Sequence, residues 1–253
     1  MTKTHTRTIR QISISLTVLL ALTVALEVRD IFKLMGVKVP GLPMPYGGAI
    51  LDNLLAVIVV MVAAISITPK KSGLATSLGL RTNGLKGPAL ALLATIPCWA
   101  VFALRGKMVT KIDITGLVLL SVVFPLAEEI VFRGFGFVFT RQKLRWPLPA
   151  SALLQSAVFG WIHWMGAGGG TGVALQVFLI TFFGAILFAV LNALDGYTLW
   201  SGFVFHASLN ATWSFFTVSD TAATDWVGNV ARLVSAGMAI LSIWFFVYKR
   251  NAI

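Results

Sequence analysis

Residues 125–137 read PLAEEIVFRGFGF, and they stand inside an otherwise apolar run that extends over 115–139. Two adjacent glutamates, Glu128 and Glu129, and the cation Arg133 occupy the middle of that run. Charges at such depth in a bilayer cost about 2.5–3.5 kcal/mol each on insertion scales. The chain has only three glutamates, so setting two of them side by side here calls for a chemical reason.

The surrounding composition decides the solvent. Hydrophobic residues make up 57% of the chain and charged residues 11%, against about 25% charged in a soluble domain. The apolar runs are long enough to cross a hydrocarbon core of about 30 Å as helices. They are continuously apolar rather than alternating, which excludes a barrel. The expected fold is an all-α polytopic membrane protein, a single transmembrane domain over residues 1–253 with no internal repeat. Eight helices are expected near 11–28, 46–68, 87–104, 115–139, 149–165, 173–194, 199–216 and 230–248. Breaks of turn-forming composition separate them: GLPMPYGG, TPKKSG, RWPLP and the glycine-rich GAGGGTG at 166–172. Lys3, Arg7 and Arg10 precede the first run as in a signal peptide, but no small-x-small cleavage site appears before Glu27, so the run reads as a spanning anchor.

Eight spans put both termini on one side. Taken as cytoplasmic, that side holds Lys3, Arg7, Arg10, Lys70, Lys71, Arg81, Lys86, Arg141, Lys143, Arg145, Lys249 and Arg250. The opposite loops hold Arg29, Lys33, Lys38, Arg105, Lys107 and Lys111, together with Asp30, Asp113, Asp220 and Asp225. Twelve basic residues against six favour a multi-pass protein of the cell (inner) membrane with cytoplasmic termini. The net charge of +11 is spread over these short loops, which fits lipid headgroups as partners and speaks against nucleic acid. Cys98 is the only cysteine, so there is no intramolecular disulfide and no multi-cysteine metal site.

Of the three histidines, His5 lies in the polar N-terminal tail, while His163 and His206 fall within the fifth and seventh spans. Asn210 follows His206 by four residues, and Phe159 precedes His163 by the same interval, so each pair shares a helix face. At ~1.5 Å per residue, the depths of Glu128, His163 and His206 overlap, and with Asn210 they can meet in one pocket. Arg133 shares a face with Glu129 and can neutralise it. Glu128 then points elsewhere and looks to His163 and His206. A glutamate and a histidine around a water form a general-base pair. A second histidine with an amide supplies donors to an oxyanion. Pro125 cannot donate to the carbonyl of Ser121, so a kink there can open the cavity. The same groups also suit an ion or substrate pathway, or interhelical glue.

At these residues the chain resembles a known family. EEIVFRG (128–134) is similar to the EExxxR motif of the CAAX protease and bacteriocin-processing family (CPBP or Abi), FGWIH (159–163) to its FxxxH motif and HASLN (206–210) to its HxxxN motif. The resemblance implies an intramembrane endopeptidase of the type II CAAX prenyl endopeptidase fold, with a conical catalytic cavity. It further implies that Glu128 and His163 activate the attacking water. His206 and Asn210 would stabilise the oxyanion, and Glu129 and Arg133 would form an orienting ion pair. The family has been described both as metalloproteases and as glutamic proteases. Glu128, His163 and His206 would make a zinc set by type, but neither histidine shares the glutamate's helix and HExxH is absent, so catalysis without a metal or other cofactor is expected. The implied substrate is a hydrophobic or membrane-anchored peptide. A short basic chain looks bacterial, where peptide maturation or self-immunity fits better than CAAX prenylation. A non-catalytic immunity or scaffold protein of the same fold, or a proton-coupled transporter, are the alternatives.

Other features read as ordinary. The 166–172 loop lacks the Lys-Ser/Thr of a phosphate cradle and reads as a flexible turn. Most tryptophans read as interfacial anchors, with Trp161 and Trp164 also placed to line the pocket beside His163. Asp52 has no assigned role, and the oligomeric state is not legible.

Overall fold

The computed structural model describes residues 3–68, 73–217 and 225–249. Lys70, Lys71, Asp220 and Arg250, which entered the count of loop charges, lie outside the described residues. The chain packs as two compact units, residues 1–74 and 75–253.

In the first unit, α1 (Lys3–Val24) and α2 (Val28–Leu34) are bent by 84° at a short break, and α3 (Gly47–Ile67) packs on α1. The first helix starts well before the apolar run, so His5 belongs to a helix rather than to a tail. Val18, Leu22 and Ala25 are buried on one side of this pair, and Ala56, Val60 and Ala64 on the other, at helical spacing. Asp52 has a partner: its carboxylate accepts from Arg29 Nη1 at 3.0 Å, and Arg29 also donates to the Val39 carbonyl. That clamp ties the segment after α2 to α3.

The second unit holds the long helices. After the short α4 (Leu74–Ser77) come α5 (Lys86–Ala94) and α6 (Ile96–Arg105), which together make one spanning length. The span carrying the glutamates, Ile114–Lys143, is composite. It runs as α7 (Ile114–Val118), a π-helical turn over Leu119–Val123, α8 (Phe124–Glu128) and a π-helix over Glu129–Lys143. Then follow α9 (Leu148–Gly166), α10 (Val173–Leu194), α11 (Trp200–Phe215) and α12 (Trp226–Ile243), the last continuing as a π turn over Trp244–Tyr248. A two-residue antiparallel ladder pairs β1 (Lys107–Met108) with β2 (Phe216–Thr217), fastening the end of α6 to the end of α11.

The protein is thus a helical polytopic membrane protein. Among the described residues, five helices are long and apolar enough to cross a membrane, or six if the bent pair counts as one span. The expectation was eight. The difference lies in the two helices that carry the histidines. Ser151, Gln155, Ser156 and His163 make α9 too polar to pass on composition, and α11 has only 16 residues, roughly 24 Å of rise. Both are helical as expected, and both bury much of their polar surface against neighbours. The outward faces are apolar instead: Leu54, Ile58 and Val62 on α3, and Leu233, Leu241 and Trp244 at the C-terminal end, are exposed. Such a surface belongs in lipid.

The core of the second unit gathers Ala91, Ala94, Phe102, Phe188, Leu191, Phe205, Leu209, Ala239 and Ile243 from α5, α6, α10, α11 and α12. Helix α11 sits centrally. A Cβ on Gly202 would run into the Asn192 side chain, so the glycine permits the close approach of α10 and α11.

Candidate active site

Glu129 and Arg133 are both fully buried, with Arg133 Nε 3.5 Å from Glu129 Oε1. A guanidinium in an apolar interior needs more than one carboxylate at that distance. None of its nitrogens meets hydrogen-bond geometry, and two aromatic faces take up the role. The guanidinium carbon lies 4.4 Å from the ring centre of Phe159 and 4.8 Å from that of Phe188. Cation–π contacts reach about 2 kcal/mol or more when desolvated, so this cage is a substantial part of what holds the charge.

The same Glu129 oxygen serves a second partner. His206, reaching across from α11, donates Nδ1–H to Glu129 Oε1 at 3.1 Å. A carboxylate accepts, which assigns the proton to Nδ1 and leaves Nε2 as the free ring position. That atom stands 3.9 Å from Glu128 Oε2, so His206 bridges the two adjacent glutamates. The sequence reading gave Glu129 to Arg133 alone and Glu128 to both histidines. One histidine can meet both because its two ring nitrogens face different sides, Nδ1 toward Glu129 and Nε2 toward Glu128. Phe188 stacks on the His206 ring at 4.9 Å between centres and fixes its plane. Glu128 and His206 keep 20% and 11% of their side-chain surface accessible, so this part of the site is open on one side.

His163 is held differently. Its Nδ1–H donates to the carbonyl of Phe159, one turn back on α9, at 2.9 Å. A carbonyl only accepts, so Nε2 is again the available nitrogen. Its ring leans on Phe159, whose other contacts are Arg133 and Phe132. No hydrogen bond or ion pair joins His163 to Glu128 or His206 among the described residues. Asn210 donates Nδ2–H to the Leu120 carbonyl at 3.1 Å, in the π turn of the glutamate-bearing span. Trp161 is exposed, and Trp164 bonds through its indole N–H to Gly170 in the glycine turn. Among the described residues no three His, Cys, Asp or Glu side chains converge as a set that could hold a metal ion. His163 is turned to its own helix, while His206 is taken by the glutamates.

Three supporting groups escaped the sequence reading. Phe188 left no signal beyond being one more apolar residue. Asp195 is a buried carboxylate that accepts from Thr198, Ser201 and Asn83 and anchors the turn before α11. The Asp195–Gly196 dipeptide is a turn signal, which points to a turn and not to an anchor. Arg232, a charge inside the last apolar run, packs over Trp213 and donates to Asn229. Its position alone was a signal.

Fold and site together define a membrane-embedded helical protein with a carboxylate–histidine centre buried between helices. Residues 110–212, from just before α7 to near the end of α11, match the family model described as Type II CAAX prenyl endopeptidase Rce1-like. The three motifs quoted for the resemblance all lie within that segment. Comparison with curated proteins and with solved structures gave no match.

Proposed function

We propose that the protein is an intramembrane endopeptidase that hydrolyses a peptide bond in a hydrophobic or membrane-anchored peptide. The observation that carries this reading is the His206 bridge, with Nδ1–H on Glu129 and Nε2 facing Glu128, inside a segment similar to a peptidase family. In this reading Glu128, which makes no hydrogen bond among the described residues, and Nε2 of His163 share the attacking water and take its proton. With its Nδ1–H held by Glu129, His206 in its doubly protonated form donates Nε2–H, beside Asn210, to the oxygen of the tetrahedral intermediate. Arg133, caged by Phe159 and Phe188, holds Glu129 in place. The basic-residue bias supports cytoplasmic termini in an inner membrane.

The test is mass spectrometry of the products from an internally quenched apolar peptide and a farnesylated CaaX peptide, both in micelles. Glu128→Gln keeps the shape of the side chain and removes the base, which contributes typically 10²–10⁴-fold. Turnover by the wild type and its loss in a folded Glu128→Gln variant are expected. Near-normal cleavage by that variant would sink the assignment.

A further inference from the structure

We propose that Pro125 is a positioning residue for Asn210, an inference that rests on the endopeptidase reading of Asn210 as an oxyanion donor. The argument starts from the backbone. In the π turn, the N–H of Phe124 donates to the carbonyl of Leu119, five residues back. In that register the carbonyl of Leu120 awaits the N–H of residue 125. Proline has none. The carbonyl is thereby left without a helical donor, and an acceptor inside a membrane span must find one. Asn210 supplies it at 3.1 Å. One turn further along α11, Ser214 Oγ lies 3.3 Å from Ser121 Oγ, so the two helices are joined at successive residues of the turn.

Two features coincide to leave this carbonyl without a backbone donor. Were the turn α-helical, Leu120 would receive the N–H of Phe124. Were residue 125 any other amino acid, the π register would give it the N–H of 125. Either change gives the carbonyl a backbone donor, which competes with the amide and weakens its hold. With the bond in place the amide orientation is fixed, because a carbonyl accepts only from the NH₂ group. One N–H of that group is used, and the second remains for a developing oxyanion. Pro125 therefore sets the rotamer of a side chain on another helix without touching substrate.

Pro125→Ala tests this, because relief of a helix-interior proline does not weaken a helix. The variant should unfold at the wild-type temperature or above, yet lose function. With the farnesylated and apolar peptide probes, kcat should fall by about tenfold or more, approaching the 10²–10³ of a lost oxyanion donor, at nearly constant KM. In an Asn210→Ala background the same change should do nothing further. An α-hydroxy acid at position 125, which has no N–H to offer, should restore activity. A readout independent of turnover is the side-chain amide signal of Asn210 in ¹⁵N-asparagine-labelled protein, identified by its absence from Asn210→Ala. It should shift and exchange faster in Pro125→Ala. An unmoved signal overturns the inference whatever the activity. Wild-type kcat in Pro125→Ala beside an impaired Asn210→Ala overturns it alone and leaves the endopeptidase reading standing, whereas full activity in Asn210→Ala removes the role of Asn210 itself.

Discussion

Arg133→Met should cost the protein a large part of its stability, and the structure sets the size. Methionine roughly keeps the volume but removes the cation, so Glu129, fully buried, retains only the Nδ1–H of His206. Removing one partner of a buried pair costs about 3–5 kcal/mol, because the other charge is stranded. The surviving histidine bond argues for the lower half of that range. The lost cation–π contacts with Phe159 and Phe188, at 4.4 and 4.8 Å, push it back up. Sulfur–aromatic contacts return about 0.3–1.5 kcal/mol of that. The net expectation is about 3–5 kcal/mol, or roughly 6–20 °C in Tm for a protein of this size. Thermal unfolding in detergent, followed by tryptophan fluorescence, measures it. Glu129→Gln combined with Arg133→Met should be more stable than Arg133→Met alone, since no buried charge is then stranded. A Tm for Arg133→Met within about 2 °C of wild type would refute the claim that this cation neutralises Glu129.

Elemental analysis of active protein should find no stoichiometric metal, and activity should survive prolonged chelation. Zinc that is lost and restored together with activity would overturn the water-activation scheme. In the first unit, Asp52→Asn should cost about 0.5–1 kcal/mol, as expected for a partly exposed pair. Arg29→Ala should cost about 1 kcal/mol more, because its bonds to the Val39 carbonyl go as well. Thermal shifts compare the two, and an Asp52 variant as damaged as the Arg29 variant would contradict the clamp.

The long apolar runs made the helical segments legible, because hydropathy over a span's length is a strong signal. The three motifs stood out on three helices for the same reason: charges and histidines contrast with leucine and phenylalanine. What escaped was hydrogen-bond register. Nothing in the composition of Leu119–Val123 or Glu129–Lys143 distinguishes i+5 from i+4 closure. Nor does the sequence show that Glu128 and Glu129, placed on separate faces by an α-helical wheel, meet the two nitrogens of one histidine ring. Pro125 was noticed, but the orphaned carbonyl was assigned to Ser121, one residue late. Polar residues keep α9 from the hydropathy of a span, and α11 falls short in length.

Helix α11 is a beam fixed at both supports. At its start, Asp195 gathers Thr198 and Ser201, while Leu199 N–H and the Trp200 indole are tied to the carbonyls of Gly79 and Arg81. At its far end the β1–β2 ladder fastens it to the end of α6. Midway, Ser208 takes the Trp99 indole N–H. Helix α9 is anchored unevenly by comparison: it ends in Gly168, Gly169, Gly170 and Gly172, all at positive φ, with the Trp164–Gly170 bond as its fastening there. The histidine on α11 thus sits on a helix fastened at both ends, whereas the histidine on α9 lies one turn before a glycine elbow.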